Sequence, residues 1–260
     1  MLTDTAALAR AGLDGVAVKP TEVEVRRAAD LGVDAVTVDY EGNEYVPSAA
    51  TLADLAESME VRVTTPVRAD GFDPLGDDSR DRDLPDSVGR VLIAGNPAYL
   101  SEAETRRPIA PRLREALSRA PDAWVGTEGI ERVALAVGGT QFELLSASTE
   151  RDLRALRAGG FEGELAVYAP TVLTADEDTV LDAVGAYAAR RRPVRESLPD
   201  GAATDASATG RAREVLLEGV REYALVGDIE TVRERVARLR DAGADHVVGY
   251  PARGVDAFGG

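Results

Sequence analysis

One short pattern recurs along this chain and limits what it can fold into. It reads AGLDGVAV at 11–18, LGVDAVTV at 31–38 and AGADHVVG at 242–249, with a looser copy, AGGFEGELAVYA, at 158–169. The first three share a glycine, then an aspartate, then an apolar run. Glycine accepts the left-handed backbone that ends a helix, and a short valine-rich run suits a buried strand. The stretch VGDIETVRERVARLRDAGADHVVGYPARG at 226–254 contains the whole unit. Asp228 is placed to cap a first helical turn. Ile229, Val232, Val236 and Leu239 recur at helical spacing, Gly243 stops the helix, and Val247 to Tyr250 is the strand. A repeated helix–glycine–strand joint predicts parallel strands linked by helical crossovers.

Apolar runs near residues 16, 37, 64, 92, 125, 143, 167 and 248 give eight strands with helices between them. That alternation predicts an α/β fold of the (β/α)8 TIM-barrel class, a single barrel over 1–260. Thr21–Leu31, Ser48–Met59, Glu102–Ala120 (reset at Pro108 and Pro111), Thr149–Ala158, a segment from Thr174 or Asp176 to Arg191, and Arg211–Glu222 read as helices. Residues 68–86 and 192–210, rich in Asp, Gly, Arg, Pro, Ala and Ser, read as long loops, the second as a flexible excursion. Two readings fit 123–146. RVALAV at 132–137 is either a strand or a helix from Gly129 to Val137 between short strands at 123–127 and 141–146. Ile130, Val133, Ala134 and Val137 share one helical face, which favours the helix. An open doubly wound sheet fits less well, because Lys-Pro-Thr follows strand one in place of a glycine-rich phosphate turn.

The charge excludes some partners. The net charge is −16, and Lys19 is the only lysine among 30 basic residues. So acidic a surface argues against nucleic acid and anionic membranes. No apolar run is long enough to span a bilayer, and the N-terminus lacks a signal-peptide pattern, so a cytoplasmic location is expected. The acid-rich, lysine-poor, cysteine-free composition resembles that of cytoplasmic proteins of extreme halophiles, the haloarchaeal type; a GC-rich genome that favours Arg over Lys is the alternative.

Laid in register, the chain resembles the luciferase-like flavin and deazaflavin oxidoreductases. LGVDAVTVDYEGNEYVPSAATLADLAESMEVRVTTPV at 31–67 resembles the family's second strand, active-site loop and following helix. AWVGTEGIERVALAV at 123–137 is similar to its fifth strand and glycine-containing turn, and 226–254 to its last helix and strand. The likeness is nearest to the methylenetetrahydromethanopterin reductase branch. It implies a shortened luciferase-like barrel whose C-terminal face holds coenzyme F420 or FMN and passes hydride to or from a small-molecule substrate. It also implies a homodimer formed through barrel helices. The chain departs from the family at two points. Asp39-Tyr40-Glu41 stands at the end of strand two with no His, and Glu128 puts a negative charge in the turn that usually meets the cofactor phosphate.

In a barrel the site forms at the C-terminal strand ends. Asp39 and Tyr40 are the candidate catalytic pair, with Tyr40 donating a proton or hydrogen bond and Asp39 positioning it. Thr64, Thr65, Gly95, Asn96, Gly126, Thr127 and Gly129 are the candidate cofactor contacts. Lys19, at a strand end, could form a Schiff base if burial lowered its pKa, which gives a lyase as a further reading. A non-catalytic barrel kept as a binding or assembly protein is another. His246, the only histidine, falls at the opposite end of the last strand and reads as structural. With one His and no Cys, no metal site is expected.

Overall fold

The computed structural model describes residues 7–258. Helix α1 (Ala7–Arg10) leads into β1 (Gly15–Val18), and a 3-10 helix, Val25–Leu31, leads into β2 (Ala35–Val38). Then follow α2 (Ala49–Ala56), β3 (Glu60–Pro66), α3 (Ser79–Arg82), β4 (Val88–Ile93), α4 (Glu102–Thr105), α5 (Ile109–Arg119) and β5 (Trp124–Gly126). The second half holds α6 (Glu131–Val137), β6 (Thr140–Leu144), α7 (Thr149–Ala158), β7 (Leu165–Val172), α8 (Glu177–Ala189) and α9 (Arg192–Ser197). It ends with α10 (Gly210–Tyr223), β8 (Leu225–Val226), α11 (Ile229–Ala242) and β9 (His246–Pro251). Strands β1 to β7 pair in sequence, all parallel, and β9 closes the ring by pairing with both β7 and β1. The result is a closed eight-stranded (β/α)8 barrel. Strand β8 stands outside the ring and extends only the end of β7.

The recurring joint has a physical cause at each letter. Gly12, Gly32 and Gly243 all take left-handed φ, at 83°, 62° and 119°. Two of the three aspartates, Asp14 and Asp245, tie neighbouring strands together at the barrel floor. Asp14 accepts the amide of Val247 at 2.7 Å, and Asp245 accepts that of Leu165 at 2.7 Å. Each carboxylate satisfies an amide at or next to the start of the adjacent strand. The motif is therefore a structural staple on the face opposite the site. Asp228 caps α11 by accepting the amide of Thr231 at 2.8 Å, as its position predicts.

Side chains from alternate positions fill the barrel. Ala17, Val91, Trp124, Ala166 and Val248 form the interior cluster, with Phe142 and Tyr168 packed against it. An aromatic stack runs through it from the floor: His246 lies 5.2 Å from Trp124, Trp124 5.5 Å from Phe142, and Phe142 5.6 Å from Tyr168. His246 begins β9 and ends this stack, far from the strands' C-terminal ends. The interior is a packed core, and only its top is open.

Three sequence expectations change in detail. Thr21–Leu31 is a turn followed by a 3-10 helix, because the Glu24 side chain accepts the Arg26 amide and Gly32 ends the segment after two turns. Residues 68–86 contain α3 and are held down by buried Arg68, Phe72 and Asp73. Residues 192–210 begin with α9, whose Val194 packs into the cluster formed by α8 and α10. The helix reading of 123–146 is the one found, with α6 between β5 and β6.

The ordered packing of 198–209 has a test. An added Cβ on Gly185 of α8 would collide with the Thr204 carbonyl. Gly185→Ala should therefore lower stability by about 1–3 kcal/mol, an overpacking cost. Urea unfolding measures it, and a neutral result would mean that this segment moves aside freely.

Candidate active site

Strand register decides which residues face the barrel axis. Ala17 pairs with Thr37, Thr37 with Arg62, Thr64 with Val91, and Val91 with Trp124. Paired residues point to the same side of a parallel sheet, and successive residues to opposite sides. The inward set therefore reaches the C-terminal mouth as Lys19, Asp39, Thr64, Ile93, Gly126 and Leu144, with Tyr168 and Tyr250 completing the ring. A cavity of about 700 Å³ opens there, within the roughly 300–1,000 Å³ of small-molecule sites. One side is walled by the turn from Gly95 to Tyr99, the other by the end of α8 with Tyr187, Arg190 and Arg191.

Asp39 is the chemical centre of the cavity. The Tyr168 hydroxyl donates to Asp39 Oδ2 at 3.5 Å, a long hydrogen bond. Burial pushes the Asp39 carboxyl up to about 7; Glu41 adds to the rise and Lys19 opposes it. Burial also raises the Tyr168 phenol well above its ordinary value, so Tyr168 stays a donor. Near neutral pH Asp39 therefore exists both with and without its proton, as a general acid–base group requires.

The same shift predicts a pH effect on stability. The folded state holds the Asp39 proton more tightly than the unfolded chain. This favours folding below about pH 4 and becomes a penalty as pH rises through about 7. Asp39→Asn removes the penalty. Its stability relative to the parent chain should rise by about 1–3 kcal/mol between about pH 4 and pH 8, allowing for the half-buried position. Paired urea titrations across that range measure it. A pH-independent difference would contradict the raised carboxyl.

Lys19 is held as a cation. Its Nζ lies 3.0 Å from Glu22 Oε1 and 4.6 Å from the Tyr250 ring centroid, and the Tyr250 hydroxyl bonds Glu22. Burial works against the charge, but the Glu22 hydrogen bond and the neighbouring charges outweigh it and raise the pKa. A Schiff-base lysine needs the opposite shift, so Lys19 is a rim cation balancing Glu22, and the lyase reading loses its chemical basis.

The sequence-level candidates divide by strand alternation. Asp39, Tyr40, Thr64, Gly95, Asn96 and Gly126 wall the cavity. Tyr40 follows inward Asp39 and so leans outward, edge-on to Phe72 at 5.7 Å and to Tyr99 at 6.4 Å. Thr64 Oγ1 accepts the Tyr40 amide at 2.5 Å and so joins the ends of β2 and β3. Thr65 does not reach the cavity: it faces outward and donates to the Val91 carbonyl at 3.4 Å. Thr127 follows inward Gly126 and lines an outer groove with residues of β6 and α7. Gly129 stands apart from the cavity wall, its amide already bonded to Glu131 Oε1 at 3.0 Å.

Sequence reasoning passed over Tyr168, Arg190 and Arg191. A signal for Tyr168 was present, since it lies two residues past inward Ala166 on a clear strand. Arg190 and Arg191 stand in a run of three arginines directly after an apolar helix. Among the described residues, no group of three or more His, Cys, Asp or Glu is placed to hold a metal ion. No helix of the described chain is long and apolar enough to cross a membrane.

A closed parallel barrel with a polar cavity at its C-terminal mouth defines a (β/α)8-barrel protein. The chain belongs to a family of unknown function, DUF7388, whose model it matches over residues 8–258. No curated protein matches it. Among solved structures it is similar to an F420-dependent secondary alcohol dehydrogenase in complex with an F420–acetone adduct, at TM-score 0.59 and 13% identity over 92% of this chain and 94% of that one. It is also similar to the monooxygenase RslO1 from Streptomyces bottropensis, at TM-score 0.50 and 18% identity over 91% of each chain. At these identities the likeness is one of fold.

Proposed function

We propose that this chain binds coenzyme F420 or FMN in the barrel-mouth cavity and passes hydride to or from a small molecule there. The observation that carries this reading is Asp39, a carboxyl able to hold or release a proton near pH 7, at the floor of a cavity with apolar walls. The two solved structures of this fold support it, one an F420-dependent dehydrogenase and one a monooxygenase.

The residues present suit such a group in part. Ile93, Leu144 and Pro170 offer apolar walls for a flat ring system. The turn after β5 suits a cofactor phosphate poorly, because the Gly129 amide is taken by Glu131 and Glu128 adds a negative charge. When bound, a flavin or deazaflavin supplies a two-electron hydride donor or acceptor. Asp39 as carboxylate takes the hydroxyl proton of an alcohol whose carbon gives up hydride, and as carboxylic acid returns it to a carbonyl oxygen. Tyr168 fixes the carboxyl, and Lys19, paired to Glu22, keeps the rim of the cavity polar.

The test is an equilibrium titration with F420 and with FMN, in low salt and in molar KCl, read by absorbance and fluorescence. Saturable binding at micromolar concentrations supports the reading. No binding of either at millimolar concentration overturns it, and leaves the barrel as a binding or assembly protein.

A further inference from the structure

The cavity contains cations that hydride chemistry does not use. Arg190 and Arg191 follow the last turn of α8 and wall the same cavity as Asp39. Arg191 lies over the Tyr187 ring, 4.3 Å from its centroid, and 5.9 Å from that of Tyr223. Arg190 approaches the same Tyr187 ring at 5.7 Å. Stacking on aromatic faces holds guanidinium groups in place and leaves their N–H edges free to bond. Among the described residues Arg190 makes no ion pair, and Arg191 makes only a loose one, 3.6 Å to Glu128. The Arg191 Nε is buried and has no hydrogen-bond partner. Two neighbouring cations with unused donors repel one another until an anion joins them.

The other place for an anion is closed. Helix α6 has only seven residues, and Glu131 of its own first turn takes the Gly129 amide. Thr127 faces the outside of the barrel, and Glu128 brings its charge to the cavity edge.

We infer that Arg190 and Arg191 form an anion subsite that takes the phosphate of the ligand in this cavity. The assignment of that phosphate to the cofactor rests on the function proposed above. The pair suits a phosphate monoester, whose oxygens accept from two guanidinium forks. Glu128 acts as an internal competitor on Arg191 until the phosphate displaces it.

Two binding experiments separate this inference from the cofactor reading. The first compares FMN with riboflavin, which lacks the phosphate, in the parent chain, in Arg190→Gln/Arg191→Gln and in Glu128→Gln. FMN should bind on the order of tenfold more tightly than riboflavin, the worth of a partly exposed charge-assisted contact. The double variant should erase that preference and leave riboflavin affinity unchanged. Glu128→Gln removes only an exposed carboxylate and should strengthen FMN binding by about threefold. The second measures inorganic pyrophosphate by calorimetry, without any flavin. Its binding should be lost in the double variant, and FMN should displace it. If neither flavin binds but pyrophosphate binds through the two arginines, the subsite stands and the cofactor reading falls. If pyrophosphate binds without being displaced by FMN, the phosphate belongs to a substrate and the cofactor assignment is overturned. Unchanged FMN preference and unchanged pyrophosphate binding in the double variant overturn the subsite itself.

Discussion

Asp73→Ala is expected to destabilise the folded chain by about 3–5 kcal/mol, the cost of removing one partner of a buried ion pair. Asp73 is 1% exposed. Its Oδ1 accepts from Arg112 Nε at 2.9 Å and from the Leu75 amide at 2.9 Å, and its Oδ2 accepts from Arg107 Nη1 at 3.2 Å. Removing the carboxylate leaves the largely buried Arg112 without its ion partner, while Arg107 keeps Asp70 at 2.8 Å. The effect should persist in high salt, because buried pairs are screened far less than exposed ones. Asp73→Asn keeps the shape and some acceptors, so it should cost less than the alanine variant. The ion cluster binds α5 to the segment that begins at Arg68. Arg68 in turn donates to the carbonyls of Ala94 and Gly95, at 2.6 and 2.9 Å, and so fixes one cavity wall. Urea unfolding of the two variants measures the effect. A loss below about 1 kcal/mol would mean that the segment is held by its apolar contacts alone.

Asp39→Ala should lower the rate of the proposed hydride transfer by about 10²- to 10⁴-fold, the usual worth of a positioned acid–base group. Cofactor affinity should change little, because the variant leaves the apolar walls and the arginine pair in place. The parent chain should show a rate that titrates near pH 7, following the carboxyl pushed up to about 7 by burial. The alanine variant should lose that inflection. Tyr168→Phe should keep the inflection and move it upward, because the hydrogen bond from Tyr168 favours the ionised carboxylate. An unchanged rate in Asp39→Ala would remove Asp39 from the chemistry.

The barrel was legible because its cause is local. A glycine that ends a helix is written into each joint, and at two of the three an aspartate bonds an amide of the neighbouring strand, so the repeat announces parallel strands. The eight apolar runs then mark the ring, and the helical face of Ile130, Val133, Ala134 and Val137 settles the one ambiguous span. The site was legible only to within one residue. At Asp39-Tyr40, Thr64-Thr65 and Gly126-Thr127 the sequence offers two neighbours, and strand alternation lets only one face the axis. Which one is set by register around the closed sheet, a property of no single strand. Tyr168 and the Arg190–Arg191 pair stayed hidden for a related reason. Tyr168 matters because closure through β9 and β1 brings β7 within reach of β2, and the arginines matter because α8 ends at the cavity mouth. Both facts depend on the closure of the barrel. The segment at 68–86 looked loose because its anchors are charged, and only the fold brings Asp73 to Arg107 and Arg112.

The barrel mouth is the proposed cofactor site, and filling that mouth with a larger side chain should abolish cofactor binding. Leu144 faces the cavity at the end of β6. Leu144→Trp fills it from a position outside the proposed acid–base group and the arginine pair. In titrations of parent and variant with F420 and FMN, with unfolding curves recorded on the same samples, the parent should show saturable binding. The variant should lose at least tenfold in affinity at little change in stability, the equivalent of about 1.4 kcal/mol of binding. Equal binding by the two proteins would place the cofactor elsewhere and contradict the account.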